Sequence, residues 1–286
     1  MKLEKVSKHW DENIKIHDNT EMKNWLDSPA VLDALPKLDG KYNPSQWILW
    51  SQERFRLYGK ERGLSIGCGD GTLERHAIKF GIAKSFDGID LSRKSIEYAR
   101  EQAKNHNLDI DYYISDINDV ILPHRYDVIY AGASLHHISN LEHLFSEIHR
   151  TLKPGGLFIL NEFVGPNRFQ WTNMQIIIIN CILRALPKEL KTMPNGRLKN
   201  SFSRPSMEEM AGDPSEAVRS EEILNLIYKN FNVIYRLNYG GTILNMLLYQ
   251  IVHNFQTSDI KPLASLEHFL IKNKIIKSDF CIIVAE

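Results

Sequence analysis

Between residues 64 and 162 short apolar runs alternate with amphipathic stretches, the pattern of a parallel sheet wound by crossover helices. It predicts strands over residues 63–67, 85–89, 110–114, 126–131 and 156–160. Between the last two, Leu141, Leu144, Phe145, Ile148 and Leu152 recur on one helical face, and Ser139 with Glu142 has the spacing of a capping box. Lys153, Pro154, Gly155 and Gly156 then end that helix. Residues 1–60 place Trp10, Trp25, Trp47 and Trp50 on short predicted helices, which reads as an amino-terminal cap. Beyond residue 162 the alternation breaks. A helical insertion or lid is predicted over 163–230, with Ser220 capping its last helix. Residues 231–286 return to the core, with strands near 233–238 and 280–285 and helices between them. The apolar runs 176–186 and 243–252 fall short of the roughly 20 residues that cross a bilayer, so they read as buried helices.

Composition narrows the classes. With 286 residues and 43% hydrophobic content the chain can bury a sizeable core. Its 35 basic and 35 acidic side chains cancel, which disfavours a polynucleotide partner. Cys68, Cys181 and Cys281 are far apart and in no metal-ligand spacing, so neither disulfide nor metal is expected. The sequence opens without an apolar secretory core, which together with the cysteines predicts a cytoplasmic protein.

The strongest motif is Gly67, Cys68, Gly69, Asp70, Gly71, Thr72, where the first strand runs into a helix. Glycines there admit a ligand close to the backbone, and a helix amino terminus offers donors. Asp90 ends the second strand about 20 residues on, where a carboxylate can accept from both hydroxyls of a ribose. The arrangement suits NAD or S-adenosylmethionine. Thr72 stands where the dinucleotide pattern has its third glycine, and this favours the methyl donor, which has no pyrophosphate to cradle.

From residue 63 to about 162 the chain resembles the class I S-adenosylmethionine-dependent methyltransferases. The resemblance implies a Rossmann-like, doubly wound α/β fold with a mostly parallel seven-stranded sheet, a helical cap, and helical insertions after strands 5 and 6. It also implies that Gly67, Cys68, Gly69 and Gly71 surround the methionine portion and that Asp90 and Leu91 hold the ribose. Asp116 and Ile117 would flank adenine, and Gly132 would end the fourth strand beside the reaction centre. One departure is Ser65, two before the first glycine, where the family usually has an acid; it implies reduced or rerouted polar support.

His136 and His137 follow the fourth strand and are candidate bases, since imidazole titrates near neutrality. Glu162 is a candidate to orient one of them. A structural role for both histidines remains open. Arg168 and Trp171 lie in a loop crowded with charge and aromatics, and Arg168 could hold a carboxylate or phosphate of an acceptor or serve as an ion pair. Arg219, Tyr239 and His253 complete the predicted acceptor pocket. The Pro214 to Ser220 string, with Tyr239 to Thr242 and His253 to Phe255, resembles bacterial methyltransferases of surface-glycan or secondary-metabolite pathways. The resemblance therefore implies methyl transfer to oxygen or nitrogen of a small-molecule or glycan-precursor acceptor. Alternatives are a lipid-linked acceptor, suggested by residues 176–179 and 244–248, and a non-catalytic cofactor-binding protein.

Overall fold

The computed structural model describes residues 3–12 and 24–286. Parts of the predicted cap, residues 1–2 and 13–23, lie outside the described residues. What is described of that region comprises α1 (Leu3–Glu12), α2 (Pro29–Ala34) and α3 (Trp47–Phe55). The core follows as β1 (Lys60–Ile66), α4 (Thr72–Lys79), β2 (Ala83–Asp90), α5 (Arg93–Asn105), β3 (Ile110–Ile114), β4 (Tyr126–Gly132), α6 (Leu141–Thr151) and β5 (Leu152–Phe163). The carboxyl-terminal half holds α7 (Asn173–Ala185), α8 (Ile223–Asn230), β6 (Val233–Gly240), α9 (Leu244–Leu248), α10 (Thr257–Lys272) and β7 (Phe280–Ala285).

The seven strands form one sheet in the order β3-β2-β1-β4-β5-β7-β6. The first five are parallel; β7 runs antiparallel to both β5 and β6. This is the predicted doubly wound α/β sheet. Its central strands are apolar on both faces because helices cover both. Along β4, Val128 and Tyr130 point to one layer and Ile129 and Ala131 to the other. The first layer packs on Trp47 and Trp50 of α3 and on α9, whose leucines are all buried. The second packs on Leu141, Leu144, Phe145 and Ile148 of α6 and on Ile223 and Ile227 of α8. Among the described residues no helix is long and apolar enough to cross a membrane. Residues 176–179 divide: α7 buries Ile179 but leaves Ile177 exposed.

Two local expectations are corrected. The helix predicted from Ser139 begins at Leu141 after Asn140, and no capping box forms. Ser139 and Asn140 instead donate their backbone N–H groups to Oδ1 of Asn118, each at 2.9 Å, and Glu142 turns outward to Arg219. Ser220 does not cap α8 either; its buried hydroxyl donates to the Gly165 carbonyl at 2.8 Å, tying residues 213–220 to the end of β5. In both places a tertiary partner outcompetes the local cap.

Candidate active site

Strand order reverses between β1 and β4, and their carboxyl ends open onto a cavity of about 750 Å³. Its floor is the loop after β1. Gly67 N and Cys68 N both donate to the Ile89 carbonyl, at 2.9 and 3.0 Å, so the loop is stitched to β2. Gly67 has φ +67°, and a Cβ there would stand 2.4 Å from Cβ of Ser134. At Gly71, with φ +76°, it would stand 2.2 Å from the Tyr112 hydroxyl. Any side chain at either position would fill the cradle or displace its wall.

Asp90 fixes the loop from the side. Its Oδ2 accepts from Gly69 N at 2.9 Å and its Oδ1 from Ser92 N at 2.8 Å; burial pushes its carboxyl upward while these amides oppose the shift. Leu91, Asp116 and Ile117 line the cavity beyond it. One Asp116 oxygen caps its own turn, accepting from Asn118 N at 2.9 Å.

The start of α4 discriminates between the two cofactors that the motif allows. Thr72 N donates to Asp70 Oδ1 at 3.0 Å, so the protein's own carboxylate occupies the helix terminus where a pyrophosphate would dock. Asp70, Asp90 and Asp116 line this half, and among the described residues no lysine or arginine lines the cavity. Such a wall repels a dinucleotide phosphate and suits a ligand bearing a sulfonium and an ammonium.

The other end is built on Ala133, whose φ of +50° breaks β4 sharply. The turn is held by Glu162, a buried side chain of β5. Its Oε2 accepts from Ser134 N at 2.9 Å and Leu135 N at 2.7 Å, and its Oε1 from Phe163 N at 2.7 Å and from Nδ1 of His136 at 2.5 Å. Glu162 is thus a positioning group behind the wall. The opposite nitrogen of His136, Nε2, lies 3.4 Å from Oε1 of Glu216. Burial alone would lower the His136 pKa, but the charges of Glu162 and Glu216 outweigh it and push the imidazole up to about 10. The pair of carboxylates thus favours the imidazolium form of His136.

His137 lines the same wall, its Nδ1 3.3 Å from the Ser215 hydroxyl and 3.6 Å from Asp213 Oδ2, with Trp10 of α1 edge-on at 4.9 Å. His136, His137 and Glu216 bring ligand atoms within 4.8 Å of one another, a grouping that a cation could use.

All the predicted cofactor residues except Gly71 line the cavity, and Gly71 shapes the turn beneath it. Of the predicted acceptor residues, Tyr239 lines it, with its hydroxyl donating to Asn161 Oδ1 at 2.7 Å. The other four lie outside its lining, contrary to expectation. Trp171 is buried against Phe169 and donates its Nε1–H to Asp279 at 3.1 Å. Arg168 donates to the backbone carbonyl of Glu216 at 3.1 Å and lies outside the cavity lining. Arg219 is shared between Glu142 and Glu222, at 2.7 and 2.6 Å. His253 is exposed, in the turn Val252–Asn254. Sequence reasoning missed Glu216, although the density of polar residues over 213–219 was a signal, and Trp47, which packs at the same cavity.

Comparison with known proteins agrees with this geometry. Residues 64–160 match a family model described as a methyltransferase domain. The chain is similar to the ribosomal protein L11 methyltransferase of Dictyoglomus thermophilum, 30% identical over 41% of this chain and 39% of that protein. It is also similar to the ubiquinone biosynthesis O-methyltransferase of Glaesserella parasuis, 28% identical over 58% of this chain and 69% of that one. It thus spans only about two fifths of the first of these relatives. The crystal structure of geranyl diphosphate C-methyltransferase from Streptomyces coelicolor, 15% identical, has the same fold over 99% of this chain and 97% of that one, with a TM-score of 0.54. The loop after β1, the carboxylate ending β2, the sheet order and the matched region converge: residues 64–160 are a methyltransferase domain, set in the Rossmann-like fold of the class I S-adenosylmethionine-dependent enzymes.

Proposed function

We propose that the chain transfers a methyl group from S-adenosylmethionine to a hydroxyl or amine of a small acceptor that carries no fixed negative charge. An unphosphorylated glycan precursor and a small amine are the two classes that fit. The observation carrying this reading is the cavity wall: Asp70, Asp90, Asp116 and Glu216 line it, and among the described residues neither lysine nor arginine does. A phosphate or carboxylate on the acceptor would face these carboxylates without a lysine or arginine to meet it, the His136 imidazolium being already paired with Glu162 and Glu216.

The cofactor supplies a methyl electrophile whose leaving group departs neutral, so the protein need not protonate it. The chain's own task is to orient and to accept a proton. Glu162 locks the turn that presents His136, and His136 holds Glu216 at the cavity. Glu216 is then the group placed to take the proton from an acceptor hydroxyl or ammonium, leaving the lone pair on oxygen or nitrogen to form the bond to the methyl carbon as the C–S bond breaks. Tyr239, Phe163 and Trp47 supply an apolar wall around it.

The test is to assay the purified chain with labelled methyl donor against neutral saccharides, amines, and the phosphorylated and carboxylated counterparts of each. Turnover is expected with the uncharged and cationic members. Glu216→Gln should lower kcat by about 100-fold with little change in cofactor affinity. Preferential methylation of the phosphorylated members would refute the reading.

A further inference from the structure

Glu74 lies in the first turn of α4 and is completely buried. Neither of its carboxyl oxygens makes a hydrogen bond of good geometry, and the Ser65 hydroxyl is the polar neighbour that most steadies its charged form. An unpaired buried carboxylate costs several kcal/mol, so a fold that keeps one requires an explanation. Its surroundings give it: Ser65 of β1, Cys68 and Asp70 of the glycine loop, Arg75 of α4 and Tyr112 of β3 are the polar and titratable groups around it. Arg75 does not neutralise it; that guanidinium is bound to the Asp70 carbonyl and the Thr72 hydroxyl, at 2.6 and 2.9 Å. Glu74 therefore sits directly under the cofactor loop, beside the strand position where the family usually has an acid and this chain has Ser65.

We propose that Glu74 supplies from α4 the carboxyl that β1 lacks, and that it serves as a positioning residue which answers the positive charge of the cofactor. Burial pushes its carboxyl up to about 7, so near neutrality it is partly protonated while the loop is empty. S-adenosylmethionine carries a net positive charge that S-adenosylhomocysteine lacks. Arrival of the former draws the proton off Glu74 into solvent and leaves a carboxylate facing a cation. Once the methyl group has gone, the cation has gone too; the carboxylate takes a proton back from solvent, and the product is held less firmly. Asp70 and Asp90 line the same end, but both already accept backbone N–H groups of the loop, whereas neither Glu74 oxygen accepts one.

The inference rests on the cofactor and not on any acceptor, so it is tested by binding alone. Calorimetry of the full chain with S-adenosylmethionine and S-adenosylhomocysteine, in two buffers of different ionisation enthalpy, reads both affinity and proton release. For the unaltered chain the first ligand should release a proton at pH 6 and bind about tenfold more tightly at pH 8. The second should change less than about twofold. Glu74→Gln should abolish the proton release and weaken only the first ligand, by about tenfold at pH 8. Ser65→Asp in the Glu74→Gln background should restore the difference. Equal weakening of both ligands, or no proton release from the unaltered chain, would overturn the proposal and leave the cofactor assignment standing; binding of neither ligand would overturn both. The buffer experiment needs no variant, so poor folding of Glu74→Gln cannot shield the idea.

Discussion

The two ends of the cavity are built by different means. At the cofactor end the groups come from consecutive strand termini, and the contacts that fix them are mostly backbone amides: Gly67 and Cys68 to Ile89, Gly69 and Ser92 to Asp90. At the acceptor end the wall is collected from α1, the turn after β4, the end of β5 and the segment 213–219, and it is joined by side-chain ion pairs. A backbone-held site tolerates most side-chain exchange and fails at a few positions. A site held by ion pairs changes by degrees, because each pair can be weakened without unseating its neighbours. Methyl transfer asks for this division, since one cofactor must be met by many acceptors.

The largest effect should come from breaking the cofactor end at Asp90, the side chain that joins its loop to the end of β2. Asp90→Ala removes an acceptor for two amides and the proposed anchor for ribose, and S-adenosylhomocysteine affinity measured by calorimetry should fall by about 100-fold. Next is Glu162→Gln, which should cost about 3 kcal/mol, seen as a fall of several degrees in the unfolding midpoint. It also has a pH signature. His136 has a folded pKa raised from 6.5 to about 10, so its stabilising contribution is complete below pH 6.5 and is lost as pH rises through 10. Stability scans from pH 6 to 10 should show that loss in the unaltered chain and a weaker one in the variant.

The comparison is sharpened by smaller effects. Arg219→Ala removes a pair whose partners Glu142 and Glu222 are largely solvated, and should cost about 1 kcal/mol or less with turnover reduced less than about threefold. His253→Ala should leave binding, turnover and stability unchanged within error, because the side chain is exposed and outside the cavity wall. A substantial loss of turnover in that variant would show that the acceptor end extends further than the cavity described.

The same division explains what the sequence disclosed. Strand positions and the glycine loop were legible because their signals are local: apolar runs, a periodic α6, glycines at fixed spacing before a helix. Asp90 was legible because the crossover fixes its distance from the loop. Glu216 was not, because nothing near it in sequence says that it will meet His136 from 80 residues away. Arg168 and Trp171 fall outside the cavity lining for the matching reason, that a charged aromatic loop can turn to its own scaffold as readily as to a ligand. Ser139 and Ser220 had the spacing of helix caps but found stronger partners in Asn118 and Gly165. For Glu74 a local clue existed: it shares the buried face of α4 with Ala77, and an acid on an apolar face signals a ligand or a cost.

The placement of β7 has a consequence for how the molecule is made. It lies between β5 and β6 although it is synthesised after both, and β6 has no other partner in the sheet. While the chain emerges, β5 must wait with an open edge, and β6 stands apart until β7 arrives to bridge them. The cofactor loop and its strands can assemble early, whereas Tyr239 at the end of β6 joins the cavity among the last pieces. Nascent chains halted before residue 280 should therefore be prone to pairing with one another through β5, and the acceptor end should be the last part of the enzyme to mature.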